Sequence, residues 1–217
     1  MSVWFRSQAI AVPVAGELLP EAAHRLTGGR AVFHGRTPAR VLAGADPRTF
    51  AFLHAGMLWI CGGSVFRQAV EDWPEGAPSG VAFEVAEVSR LYGFVVWRDG
   101  RRVRLRTGSV PSAPGSTGLL ADEGDPLPAE ADGVAHHVAE FPDEADGARA
   151  MAEWLKPDRP TSDADLWDPL KAPRHFDLGT AVVFAVVAAE TGFAPPAWDG
   201  PGVEADVYRL VGARWPG

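Results

Sequence analysis

The sequence predicts an α+β protein: an antiparallel sheet centred on a β-meander over residues 81–107, with two or three helices packed against it. Three stretches carry this expectation. Tyr92–Thr107 (YGFVVWRDGRRVRLRT) places two strand-like runs around Asp99-Gly100, a dipeptide suited to the positive φ angles of a type I′ hairpin turn. Val81–Val88 (VAFEVAEV) alternates, and only Ser89-Arg90 separates it from that hairpin, so it reads as the third antiparallel strand. Leu178–Glu190 is apolar almost all round, as a buried helix would be. Its four valines (Val182, Val183, Val186, Val187) keep a buried strand open as the alternative.

Taken in order, Val3–Val14 reads as a first strand. Leu18–Leu26 is a short helix stopped by Gly28-Gly29. Arg30–His34 and Arg40–Leu42 are two short strand candidates divided by Thr37-Pro38. Phe50–Ile60 (FAFLHAGMLWI) is compatible with a buried strand or a short helix; Gly56 and the aromatic content favour a strand. Val65–Asp72 suits one or two helical turns ahead of Trp73-Pro74. Beyond the hairpin, residues 108–118 form a Gly/Ser/Pro-rich loop, and Asp122–Pro128 an acidic turn. Pro142–Leu155 reads as a helix, with Ala145, Ala148, Met151, Ala152 and Leu155 on one stripe. Pro157–Pro173 is a long irregular segment around Trp167, either a functional loop or one pinned by its aromatic. Asp177 is the candidate N-cap and Gly192 the stop of the 178–190 helix, and Glu204–Leu210 alternates as a closing strand.

A two-residue turn sets a hairpin's register. Without irregularity Arg98 faces Arg101, Trp97 faces Arg102, Val96 faces Val103, Val95 faces Arg104, Phe94 faces Leu105 and Gly93 faces Arg106. Side chains alternate between faces. That register collects Phe94, Val96, Val103 and Leu105 on a core face and Val95, Trp97, Arg102, Arg104 and Arg106 on the other. The stripe Trp97, Arg102, Arg104, Arg106 is therefore the candidate binding site, for an anion or for a protein partner. Arginine binds carboxylate and phosphate through two parallel hydrogen bonds and stacks on aromatic faces, so a Trp97–Arg102 cation–π pair is expected. Two structural readings stand beside it: a solvated sheet face, and internal pairing with Asp122, Glu123 or Asp125.

At 217 residues the chain is expected to form one domain, with the loop at 108–119 as its weakest point. The net charge of −8 is unevenly spread: residues 1–120 hold 13 basic and 9 acidic side chains, and residues 121–168 hold 3 and 14. An acidic whole argues against a nucleic-acid partner, which rewards a basic footprint. The acidic stretch is either a solvated flap or a segment that folds over the arginines. A longest apolar run of nine residues, Ala181–Ala189, is about half a membrane span. One cysteine, Cys61, and no secretory pattern point to a reducing cytoplasmic setting.

Tyr92–Gly100, followed by Asp122-Glu-Gly-Asp-Pro-Leu-Pro128, resembles a pattern in uncharacterised actinobacterial protein families, in which a strand reading roughly F-A-V-W-x-D-G-R precedes a loop ending G-E-P-L-P. Here Asp125 stands where that pattern tends to have Glu. The resemblance covers about residues 80–130 and implies no activity and no catalytic residue. A high-GC source agrees with 18 arginines against only Lys156 and Lys171.

No catalytic or metal-ligating pattern emerges. His136-His137 are adjacent and so point apart, and His24, His34, His54 and His175 are scattered without His-x-x-x-His or Cys-x-x-Cys spacing. Cys61-Gly62-Gly63-Ser64 lacks the lysine and spacing of a phosphate loop, and no Gly-x-Ser-x-Gly elbow is present. No cofactor is expected. Most of the eight tryptophans should anchor core or loops; an exposed pair would mark a contact surface. The expected function is a non-enzymatic protein-interaction module of immunity or regulatory type. The alternatives are an enzyme whose site is assembled from distant residues and a small-anion binder at the arginine stripe.

Overall fold

The computed structural model describes residues 6–39, 49–62, 64–74, 77–86, 89–109, 119–140, 172–193 and 203–213. Through them runs one nine-stranded sheet with every pairing antiparallel, which bears out the α+β class. The strands are β1 (Arg6–Pro13), β2 (Arg30–Ala39), β3 (Thr49–His54), β4 (Met57–Cys61), β5 (Gly80–Ala86), β6 (Leu91–Arg98), β7 (Arg101–Ser109), β8 (Leu119–Glu123) and β9 (Val203–Val211). Their spatial order is β2-β9-β3-β4-β1-β5-β6-β7-β8, so the expected 81–107 meander forms β5, β6 and β7 toward one end of the sheet. The described helices are α1 (Leu19–Thr27), α2 (Val65–Glu71), α3 (Pro128–Glu140) and α4 (Ala172–Thr191).

Helices cover both faces. In β1, Ile10 and Val12 pack with Leu19, Ala22, Ala23 and Leu26 of α1 and with Val65, Phe66 and Ala69 of α2. Ala9 and Ala11 pack on the opposite side, with Ala129 of α3 and Leu178, Val182, Val183, Val186 and Val187 of α4. A strand buried on both faces has no polar side, which is why β4 is buried throughout and β5 is nearly so. Each valine or leucine so buried contributes roughly 1.5–3 kcal/mol.

Local rules account for most boundaries. The buried residues of α1 recur at helical spacing, and Gly28, at φ 62°, ends it by donating its N–H to the His24 carbonyl. Residues 178–190 are helical, and Gly192 stops them with its N–H on Ala188 O at 2.8 Å. Gly133 lets α3 approach α4 closely, since a Cβ there would lie 2.6 Å from the Val182 Cα.

Four expectations need correction. Phe50–Ile60 is two strands, because Ala55 and Gly56, at φ 52° and 74°, turn the chain between β3 and β4. Thr37-Pro38 lies within β2, an edge strand, where a residue without an N–H is tolerated. Asp177 lies inside α4, which begins five residues earlier, so it is no N-cap. The acidic turn expected over Asp122–Pro128 is shorter, because Asp122 and Glu123 end β8 and Pro128 begins α3, a helix to which the sequence reading assigned no element. Residues 40–42, the predicted helix 142–155 and the segment 157–171 lie outside the described residues. Among the described residues no helix is long and apolar enough to cross a membrane.

Candidate functional site

The β6–β7 hairpin turns where expected: Asp99 and Gly100 sit at φ 52° and 73°. Arg98 pairs with Arg101, and Trp97 with Arg102, as the turn dictates. Beyond them the register departs from the simple hairpin. A bulge at Val103 brings Arg104 opposite Val96, Leu105 opposite Val95 and Arg106 opposite Phe94. One extra residue exchanges the faces of everything that follows. Val103 still packs on the α3/α4 side, Leu105 joins the α1/α2 side, and Arg104 and Arg106 share a face with Phe94 and Val96. The four-residue stripe is thus divided, with Trp97 and Arg102 on one side of the sheet and Arg104 and Arg106 on the other.

On the α3 side the two arginines are almost wholly buried, at 1% and 3% exposure. The Glu130 carboxylate accepts from Arg104 Nε (2.7 Å), Arg104 Nη2 (3.0 Å), Arg106 Nη1 (2.8 Å) and the Leu127 N–H (2.8 Å). Arg104 Nη1 also meets Asp122 and donates to the carbonyl oxygens of Glu123 (3.2 Å) and Gly124 (2.7 Å). Arg106 Nη2 lies 3.9 Å from Asp122 Oδ2. Burial pushes the Glu130 carboxyl up, but the hydrogen bonds from Arg104, Leu127 and Arg106 and the Arg104 charge outweigh it and hold it below the usual carboxylate range. For Arg104, burial disfavours the cation, and the hydrogen bonds and charges of Glu130 and Asp122 overcome that penalty. Tyr92 lies beside this cluster, and burial raises its phenol above the ordinary value; the Arg106 charge opposes that shift and Asp122 adds to it. The cluster joins β7, β8 and α3, and its groups are engaged with one another.

At the outer end of the same hairpin the arginines face solvent. Arg98, Asp99, Arg101, Arg102 and Asp125, with Val103 and Gly124, line an open cleft of about 500 Å³. Arg98 is held by Glu190 at 2.7 Å, and Arg102 by Glu123 at 2.6 Å and the Val70 carbonyl at 3.2 Å. The turn is braced from beneath by residues 77–80: Gly100 donates to the Pro78 carbonyl, and Asp99 N–H to Ser79 Oγ at 3.2 Å. Trp73 donates its indole N–H to the Ala77 carbonyl, and its ring stacks on Trp97 at 5.5 Å and 17°. Trp97 thus lies across from Arg102 as expected, but its stacking partner is another tryptophan. Both rings are half-buried.

Of the candidate site residues, then, Trp97 and Arg102 lie at an accessible surface, while Arg104 and Arg106 bind Asp122 and Glu130 inside. Of the three expected internal partners, Asp122 pairs with Arg104 and Arg106 and Glu123 with Arg102, whereas Asp125 lines the open cleft. Glu130 was missed, because it lay in a stretch not recognised as helix. Arg98 and Arg101 were legible as facing cations but were passed over for the longer stripe. The described histidines lie on α1, β2, β3, α3 and α4; His34 packs edge-on to Phe50 and His54 to Phe193. Cys61 is buried at the end of β4. Among the described residues no group of three or more histidine, cysteine or carboxylate side chains is placed to hold a metal ion.

Fold and surface together define the class: an α+β protein with helices on both faces of an antiparallel sheet, a buried arginine–carboxylate cluster and an arginine-rimmed hairpin end. Comparison of the chain with protein-family models, with curated proteins and with solved structures finds no match in any of the three.

Proposed function

We propose that this chain is a non-enzymatic protein-interaction module that engages its partner through the outer end of the β6–β7 hairpin. The observation that carries the reading is the grouping of Arg98, Arg101 and Arg102 around one open cleft, on a turn braced by residues 77–80 and backed by the Trp73–Trp97 stack. Arginine and tryptophan are the residue types that most often dominate binding energy at interfaces. A turn already held by hydrogen bonds loses little further freedom on binding, so more of the contact energy appears as affinity.

The test is capture from a lysate of the cells that make the protein, with mass-spectrometric readout, comparing the native chain with an Arg98→Ser/Arg101→Ser/Arg102→Ser variant. These three positions are exposed, so the variant should fold; Arg104 and Arg106 are unsuitable because their removal strands buried carboxylates. A stoichiometric protein held by the native chain and lost by the variant supports the reading. Equal retention by both moves the contact elsewhere, and absence of any protein in either sample overturns the reading.

A further inference from the structure

We infer that the outer edge of β2, at Arg30–Phe33, takes up an extended acidic segment of a protein partner as a further strand of the sheet. This surface is separate from the hairpin end: β2 is the first strand in the sheet order, and β6 and β7 lie toward the opposite edge.

Among the described residues β2 pairs only with β9, so the N–H and C=O groups of its outer side meet no strand. Charge, proline and bulges are what keep such edges from pairing. The second half of β2 has a bulge at His34 and, in Pro38, a residue without an N–H. The first half has only the charge of Arg30, and there apolar side chains are exposed on both faces. Val32 lies diagonally beside Val211 of β9 on one face, both exposed. Phe33, 57% exposed, meets Tyr208 edge-on at 5.5 Å on the other. A helix docks on one face of a sheet, whereas an added strand covers side chains on both faces and satisfies the backbone as well. The two-sided exposure therefore selects strand addition.

Charge selects the segment. Arg30 and Arg209 lie on the Val32 face, both exposed, and no carboxylate among the described residues pairs with either. The carboxylates of these strands, Glu204 and Asp206, alternate onto the Phe33 face with Tyr208, beyond the bulge and opposite Pro38 and Arg36. His34, which follows Phe33, packs on Phe50 and brings no negative charge. One face of this edge is thus cationic around Val32, and the other is apolar at Phe33. An incoming strand complements it with carboxylates on one face and aliphatic side chains on the other, an alternation of Glu or Asp with Val or Ile. A second copy of this chain does not fit. Antiparallel pairing of β2 with itself would set Arg30 and Arg209 of both copies along one face with no carboxylate between them.

The experiment uses the full chain and three probes: an eight-residue peptide alternating Glu and Val, its Lys/Val counterpart, and the Glu/Val peptide N-methylated throughout, which keeps every side chain and removes every backbone donor. Binding is followed by the amide resonances of residues 30–33 and by their hydrogen exchange. The Glu/Val peptide should shift these resonances saturably, slow their exchange and weaken as salt rises. Arg30→Glu/Arg209→Glu should reduce its affinity by about tenfold or more and make the Lys/Val peptide the better ligand, with the remaining amide spectrum unchanged. Arg36→Glu, on the other face, should leave binding as it is. Equal binding of the Lys/Val peptide, undiminished binding of the N-methylated form, or no response at β2 at millimolar peptide would each overturn the inference. So would a concentration-dependent dimer of the chain alone that protects the β2 amides, since the occupant would then be a second copy. The Arg98→Ser/Arg101→Ser/Arg102→Ser variant keeps this test apart from that of the hairpin. It should bind the peptide as the native chain does, and loss of binding there would move the peptide to the hairpin and refute strand addition at β2.

Discussion

Replacing Glu130 with alanine removes the carboxylate that accepts hydrogen bonds from both buried arginines. The native group receives four: two from Arg104, one from Arg106 and one from the Leu127 N–H. Hydrogen bonds to charged groups are worth roughly 1.5–3 kcal/mol each, but those sharing one acceptor group are not additive. The governing quantity is the cost of leaving a buried charge without its partner, about 3–5 kcal/mol. After truncation Asp122 alone is shared by two guanidinium groups whose side chains are 1% and 4% exposed, so one positive charge is left uncompensated in the interior. At about 2–4 °C per kcal/mol for a chain of this size, the melting temperature should fall by about 10 °C. Urea unfolding followed by tryptophan fluorescence measures the change directly, with eight tryptophans as reporters. Arg67→Ala, which breaks an exposed pair with Glu71, serves as the control and should leave the midpoint where it is. A Glu130→Ala loss below about 1 kcal/mol with an unchanged denaturant slope would show that the arginines are satisfied without Glu130, and the account of the cluster would be wrong.

Further outcomes follow from the same contacts. Because the folded protein holds the Glu130 carboxyl below its unfolded value, the unfolded chain takes up the proton first on acidification. Stability from this group is therefore complete above the unfolded value of about 4.3 and is lost as pH falls through the folded one; Glu130→Gln should flatten the urea midpoint against pH below about 5. Tyr92 has the opposite sense: burial raises its phenol, so the unfolded chain ionises first and stability falls as pH rises above about 10. Tyr92→Phe should reduce that alkaline loss, read by denaturation at pH 9 and 11. At Gly124, φ is 80° and a Cβ would collide with the Val103 carbonyl oxygen, whereas at Gly100, φ is 73° and the space is open. Gly100→Ala should thus cost only the ~1–2 kcal/mol of a left-handed residue, and Gly124→Ala distinctly more, by thermal denaturation. Arg106→Ser should lower the melting temperature by several degrees and Arg101→Ser hardly at all, since only the first is buried and paired.

Much of the architecture was legible because it depends on neighbours in the chain. Asp99-Gly100 announced its turn, Gly28 and Gly192 their helix ends, and the runs at 81–88, 92–98 and 204–210 their strands. What misled was the assumption that alternation continues unbroken. Arg102, Arg104 and Arg106 alternate with Val103 and Leu105 in sequence, yet the bulge at Val103 divides them between faces. No residue marks that bulge. Gly124 is needed where β8 ends against the Val103 carbonyl, and Arg104 donates to the Gly124 carbonyl, contacts spanning some twenty positions.

The sequence by itself determined the α+β class, the hairpin turn and a surplus of arginine near it, since backbone preferences and period-two patterns act over a few residues. Only the tertiary structure decided which arginines are interior and which exterior. That choice was made by Glu130, brought in on a helix 24 residues beyond Arg106, and by the low polarity of the layer it enters, where a guanidinium is stable only against a carboxylate. The cations left outside are Arg98, Arg101 and Arg102 at the end of the hairpin.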